Sequence, residues 1–292
     1  MSRVLTPVNR VGVDERAAAL GRRSIKTTAK RQGIRLAASM IDLTTLEGAD
    51  TPGKVRNLCA KAVAPGLGLA PVAAVCVYPA LVGVAVEAVT GTGVAVASVA
   101  TGFPSGQTSL DVKVLETREA VAAGAAEIDM VISRDAYLAG DDARVAREIS
   151  AVKEACGDAH LKVILETAEL PTYAHVRHAA ELAIAAGADV IKTSTGKAAS
   201  GATPGVVLVM LEVVRDHLWR TGRVVGVKAA GGVSTTKAAL GLLVLVKETL
   251  GDEWLTPSRF RIGASSLLND LLLQYAKLDG GHYGRAEDFS KE

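Results

Sequence analysis

The chain has 292 residues, 49% hydrophobic and 22% charged, with a formal net charge of +2; it is long enough to bury a full core and carries no field that would draw it to a membrane or to nucleic acid. Basic residues are scattered rather than striped and only 3 Phe and 2 Trp could stack on bases, which argues against nucleic-acid binding. Cys59, Cys76 and Cys156 are an odd set without a CxxC pair, the five histidines make no HExxH-type metal spacing, and residues 81–100 are broken by Glu87 and glycines, so a disulfide scaffold, a metal centre and a membrane span all lack support and a reducing compartment is favoured.

In chain order, residues 1–35 come first, rich in Arg and Lys with Asp14 and Glu15 as their acids. They read as a basic amphipathic lead-in helix, with a transit peptide as the alternative. Beyond them a unit recurs: a short β-branched run, a glycine or polar turn, then an alanine-rich helical stretch. The runs are "LAASMIDLT" from Leu36, "PVAAVCVYP" from Pro71, "GVAVASVAT" from Gly93, "AAEIDMVI" from Ala125, "HLKVILET" from His160, "ADVIKTST" from Ala188, "RVVGVKAAGG" from Arg223 and "RFRIGASS" from Arg259. Between them, "SLDVKVLETREAVAAGA" repeats its apolar residues at three to four, and "TPGVVLVMLEVVRDHLW" opens with Thr203 as N-cap and Pro204 at the first helical position. Eight strands alternating with helices predict an α/β fold, a (β/α)8 TIM barrel in a single domain over residues 36–276, with the N-terminal helical extension before it and a flexible polar tail over 277–292. An open doubly wound sheet shares the alternation, but no GxGxxG follows the first strand.

Side chains alternate along a strand. Val190, Lys192 and Ser194 therefore share one face, Glu127 and Asp129 another, Gly226 and Lys228 a third, each opposite an aliphatic face. If the aliphatic faces meet the helices, Asp129, Lys192 and Lys228 point into the barrel near the strand carboxyl ends, where barrel active sites are built. A lone lysine there is usually a structural partner of a carboxylate. Two lysines and one aspartate leave a cation uncompensated, which favours a neutral, nucleophilic amine. An ordinary lysine, pKa ~10.4, is neutral in about one molecule in 2,500 at pH 7, so a shift of ~3 units is needed for Schiff-base chemistry on a carbonyl. "AAGGVST" and "GASSLL", after strands seven and eight, sit where barrels hold a phosphate; corner-closing glycine turns are the plainer reading.

"IDLTTL", "VCVYPA", "ATGFPSGQT", "AAEIDMVI", "LKVILET", "IKTSTGK", "GVKAAGG" and "RIGASSLL" follow one another across residues 41–272. In these stretches the chain resembles the deoxyribose-phosphate aldolase family of class I aldolases. The resemblance implies reversible cleavage of 2-deoxy-D-ribose 5-phosphate to D-glyceraldehyde 3-phosphate and acetaldehyde, in deoxyribonucleotide catabolism in the cytoplasm. It implies no cofactor or metal, a small phosphorylated sugar as partner, and a homodimer or higher homo-oligomer. Lys192 would be the Schiff-base nucleophile, Lys228 the second lysine that depresses its pKa and takes part in proton transfer, Asp129 the proton carrier working with a water, and Asp42 a supporting member of that relay. Thr44, Cys76, Thr195, Gly196, Lys197, Gly231, Gly232, Gly263, Ser265 and Ser266 would meet substrate or phosphate, and Tyr283 in the tail could reach the site. Three positions depart from the family pattern: Ala229 replaces a proline, Ser234 stands where some members have arginine, and Ala168 replaces a glycine and is expected to tighten the pocket floor.

Two other enzyme readings share features of this site. A pyridoxal-phosphate barrel also needs a Schiff-base lysine and a phosphate cup, and a phosphosugar isomerase would use a lysine to polarise a carbonyl with Glu166 as its base. A purely binding barrel has no use for paired inward lysines.

Overall fold

The computed structural model describes residues 3–198 and 201–280. Eight parallel strands close into a barrel in chain order: β1 (Ile41–Thr44), β2 (Ala74–Val77), β3 (Ala95–Ala100), β4 (Glu127–Val131), β5 (His160–Ile164), β6 (Val190–Lys192), β7 (Gly226–Ala230) and β8 (Phe260–Ala264), with β8 pairing back onto β1. The helices among the described residues are α1 (Arg10–Gly21), α2 (Thr27–Ser39), α3 (Pro52–Val63), α4 (Val82–Val89), α5 (Leu110–Ala122), α6 (Arg134–Leu138), α7 (Asp142–Cys156), α8 (Tyr173–Ala185), α9 (Pro204–Thr221), α10 (Thr236–Leu250) and α11 (Leu267–Gly280). The (β/α)8 barrel expected from the repeating unit is the fold.

Local chemistry starts the helices where the sequence places them. Thr203 accepts from the Val206 N–H at 3.3 Å with Pro204 in the first turn of α9, and Ser109, Thr172 and Thr235 cap α5, α8 and α10 in the same way. The outward strand residues Ile128, Met130, Ile191, Val227 and Ile262 join one continuous apolar core with the helices. The inward faces are different: Cys76, Ala97 and Val99 form a small apolar patch with Leu46, and Asp42, Glu127, Asp129, Lys162, Lys192 and Lys228 are buried among the remaining inward positions.

The first predicted strand begins too early. Residues 36–39 belong to α2 instead, because Ala37 and Ala38 bury one helical face with Ile34, and Gly33 lets α2 approach α10, where a Cβ would lie 2.5 Å from Leu240. The lead-in segment forms two helices rather than one. Its basic residues tie it to the barrel helices: Arg16 pairs with Glu212 at 2.8 Å, Lys30 donates to Gln274 at 2.9 Å and Arg35 to the Tyr275 hydroxyl at 2.8 Å. At the other end α11 runs to Gly280, past residue 276, and Tyr283 lies outside the described residues.

Candidate active site

Strand alternation and register bring seven charged side chains together inside the barrel. Asp129 is in register with Lys162, Lys192 with Lys228, Lys228 with Arg261, and Asp42 lies beside Gly263 on the neighbouring strand. Asp129 is the hub. Its Oδ2 accepts from Lys192 Nζ at 2.7 Å and from Lys228 Nζ at 2.8 Å, and its Oδ1 accepts from Lys162 Nζ at 2.8 Å. Lys162 also meets Glu127 at 2.5 Å and Asp42 at 3.6 Å. Arg261 donates to Asp42 at 2.6 Å and to Glu127 at 2.9 Å. Lys228 Nζ lies 2.5 Å from Asp42 Oδ2 outside hydrogen-bonding angles, a charge contact rather than a hydrogen bond. Lys192 ends β6, whereas Asp129 and Lys228 sit at the middle of their five-residue strands, deeper than expected.

Four cations, Lys162, Lys192, Lys228 and Arg261, face three carboxylates, Asp42, Glu127 and Asp129, leaving a surplus of 4 − 3 = 1 positive charge. The surplus falls on the least compensated group. Lys162 touches three carboxylates and Lys228 two; Lys192 touches one, and shares it. Burial, with the Lys228 charge beside it, accordingly depresses the Lys192 pKa against the pull of Asp129. For Lys228 burial acts downward too, but Asp129 and Asp42 outweigh it and its pKa is raised. Asp129 and Asp42, despite complete burial, are held below the usual carboxylate range by the surrounding cations. The site therefore holds one amine disposed to lose its proton beside an ammonium disposed to keep it.

The three hydroxylated residues after Lys192 fix the end of its strand. Thr193 Oγ1 donates to the Ala230 carbonyl at 2.6 Å and accepts from the Ala230 N–H at 2.8 Å, and Ser194 donates to the same carbonyl. Thr195 Oγ1 donates to Glu166 at 2.5 Å and accepts from the Lys197 N–H at 3.1 Å. Glu166 is fully buried in the left-handed region, φ 52°, and its carboxylate also faces the Thr195 N–H at 3.3 Å and Arg134 at 3.7 Å. It anchors this loop, so it is not the free base that an isomerase would require.

A cavity of about 190 Å³ opens above Lys192 and Lys228. Thr44, Thr195, Gly196, Lys197, Gly231, Gly232, Gly263, Ser265 and Ser266 all line it, joined by Glu47 and Ser234. Gly196, Gly231 and Gly232 have φ of 80°, 89° and 90°, a left-handed turn that presents backbone rather than side chains to the cavity. Gly263 supplies room, since a Cβ there would lie 3.0 Å from Lys228 Cε. Three expectations change. The Thr195 hydroxyl is already engaged by Glu166, leaving Thr195 a loop anchor at the cavity wall. Cys76 does not line the cavity; it is buried beside Leu46, Ala97 and Val99, and burial with the Asp129 charge pushes its thiol up to about 11. Ala168 is exposed on a 3-10 turn and does not narrow the pocket floor.

Lys162 and Arg261 are the residues that sequence reasoning missed. The alternation that selected Asp129 also selects them, because Lys162 stands opposite Leu161 and Val163, and Arg261 opposite Phe260 and Ile262. Lys162 sits as deep as Asp129, but it and Arg261 both stand near the start of their quoted runs, "HLKVILET" and "RFRIGASS", where a strand end is not suggested. His175 and His178 lie on α8, where His178 meets the Tyr137 hydroxyl at 3.2 Å and Asp142 at 3.4 Å. Among the described residues no cluster of His, Cys, Asp and Glu is arranged to hold a metal ion, and no helix is long and apolar enough to cross a membrane.

Residues 36–272 match the family model described as DeoC/LacD family aldolase. A deoxyribose-phosphate aldolase from Mus musculus is 47% identical over 96% of this chain and 93% of its own length, and one from Homo sapiens is 45% identical over the same shares. The solved structure of a tetrameric deoxyribose phosphate aldolase from Aeropyrum pernix, 27% identical, superimposes with a TM-score of 0.68 over 91% of this chain and 98% of that one.

Proposed function

The chain belongs to the DeoC/LacD family of aldolases, and on that premise we propose that it cleaves 2-deoxy-D-ribose 5-phosphate reversibly to D-glyceraldehyde 3-phosphate and acetaldehyde through a Schiff base on Lys192. The observation that carries this reading is the position of Lys192: buried, at a strand end opening onto the cavity, with one shared carboxylate oxygen as its only anionic contact among the described residues. Its neutral amine attacks the C1 carbonyl to give a carbinolamine. Loss of water gives an iminium, and the C2–C3 bond breaks as its electron pair moves toward the iminium nitrogen and the C3 hydroxyl gives up its proton. Glyceraldehyde 3-phosphate departs, leaving an enamine. Asp129 and a water move protons on and off these intermediates, Lys228 supplies an ammonium that stays charged beside them, and Asp42 holds Lys228 in place. Protonation of the enamine carbon and hydrolysis release acetaldehyde and restore Lys192.

The phosphate sits against Gly196, Lys197, Gly231, Gly232, Ser265 and Ser266, with Thr44 at the cavity wall. We place the reaction in deoxyribonucleotide catabolism in the cytoplasm, and infer that the protein assembles with copies of itself, as the Aeropyrum pernix relative does. Borohydride added with substrate tests the chemistry. A reduced two-carbon adduct mapping to the Lys192 peptide, absent in Lys192→Met, is expected. An adduct on another lysine, or none with active enzyme, would overturn the assignment.

A further inference from the structure

At the mouth of the cavity Lys197 Nζ is not free: it lies 2.8 Å from Glu47 Oε1. Four charged residues line the cavity, Glu47, Lys192, Lys197 and Lys228, and the two deep lysines belong to the cluster around Asp129. Charge at the phosphate end therefore rests on one cation and one anion that cancel. Ser234, in the adjoining glycine loop, adds a hydroxyl and no charge.

The Glu47 backbone is fixed while its carboxylate stays accessible. Its N–H donates to Asp50 Oδ2 at 2.9 Å, the Asp50 N–H returns to the Glu47 carbonyl at 3.0 Å, and Asp50 is held in turn by Thr45 and Lys54. The Glu47 side chain remains 64% exposed. The fixed backbone keeps the root of the Glu47 side chain at the cavity mouth, and a dianion that binds Lys197 there takes the place of the Glu47 carboxylate.

We propose that Glu47 is a specificity-determining residue that competes with the substrate phosphate for Lys197. It lowers the enzyme's preference for phosphorylated over unphosphorylated substrates. The substrate part of this statement rests on the aldolase reading; the competition itself does not.

Two measurements separate them. Inorganic phosphate, titrated by calorimetry into the wild-type protein and Glu47→Gln, tests the competition without any turnover. Removing an exposed ion pair and a neighbouring like charge is expected to tighten phosphate binding by roughly 3- to 10-fold at low salt, and by less at ~0.5 M salt. In a Lys197→Met background the same substitution is expected to gain under about twofold, because the cation it releases is gone. Unchanged phosphate affinity in Glu47→Gln, or a gain undiminished without Lys197, overturns the proposal. With 2-deoxyribose 5-phosphate and 2-deoxyribose as substrates, the ratio of their kcat/KM values is expected to rise by a similar factor in Glu47→Gln. Failure of the wild type to cleave either sugar would sink the aldolase reading while leaving the phosphate titration to judge Glu47.

Discussion

Lys192 and Lys228 donate to the same oxygen, Asp129 Oδ2, at 2.7 and 2.8 Å, yet their ionisation is driven in opposite directions. The difference lies one residue away. Asp42 stands against Lys228 and not against Lys192, so the second lysine carries the positive charge and the first can give its proton up.

That division sets the pH profile. A depressed Lys192 pKa leaves more free amine at neutral pH, so kcat/KM should fall as pH drops through that value. In Lys228→Met the neighbouring charge is gone and Asp129 is less neutralised, and both changes raise the Lys192 pKa. The acid limb should move up by about one pH unit or more, with kcat down at least ~100-fold. A pH series of borohydride inactivation reads the limb directly; an unmoved limb would mean that burial alone sets the Lys192 pKa.

Lys162 contacts no part of the cavity but touches Asp129, Glu127 and Asp42. Lys162→Met leaves each of those carboxylates another cation, Lys192 and Lys228 at Asp129 and Arg261 at Asp42 and Glu127, so it should cost roughly 1.5–3 kcal/mol, the worth of a hydrogen bond to a charged group. Urea denaturation of Lys162→Met and Lys162→Met/Glu127→Gln checks this, the double variant losing more because Arg261 is then left with Asp42 alone. Equal stability of Lys162→Met and wild type would show that the lumen is wet enough to screen the cluster.

The recurring apolar runs placed the eight strands, and alternation along them, a backbone property, put Asp129, Lys192 and Lys228 on the faces that turn inward once the aliphatic faces meet the helices. The charge count was not accessible in the same way, because two lysines and one aspartate looked like the whole site. Asp42 came from the resemblance and Glu127 from its shared face with Asp129, but their cation partners Lys162 and Arg261 emerge only when the barrel closes and β8 meets β1. The first strand was read too long since Ala37 and Ala38 suit a buried helix face as well as a strand. Glu166 looked like a base because its strand-end position is all a sequence reveals, and its hydrogen bonds to Thr195 are long-range.

Glu166→Gln separates anchor from base. The substitution keeps an acceptor for the Thr195 N–H and hydroxyl but removes the charge beside Arg134. Loosening of the loop that carries Gly196 and Lys197 should raise KM for the phosphorylated substrate by about 3- to 10-fold, with kcat falling less. Steady-state kinetics decides it. A loss of kcat beyond ~1,000-fold with KM unchanged would mark Glu166 as the catalytic base.

Gly263 stands beside Lys228, and a Cβ at this position would lie 3.0 Å from Lys228 Cε and 2.9 Å from Ala230 Cβ. Its backbone is not left-handed, so alanine meets no conformational penalty and its whole effect is contact. The Ala230 backbone is pinned by Thr193 at 2.8 Å and cannot retreat, which leaves the flexible Lys228 chain to yield. Gly263→Ala should then cost about 1–3 kcal/mol of stability, as overpacking does, and shift Lys228 off Asp129. The kinetic signature is a weaker copy of Lys228→Met, with lower kcat and an acid limb displaced the same way. Gly83→Ala, on α4 with nothing within 4 Å of its Cβ, is the matched control and should be neutral or stabilising by about 0.5–1 kcal/mol. A Gly263→Ala enzyme with a wild-type pH profile would mean that Lys228 can be displaced without changing Lys192, and that the shared oxygen of Asp129 does not couple them.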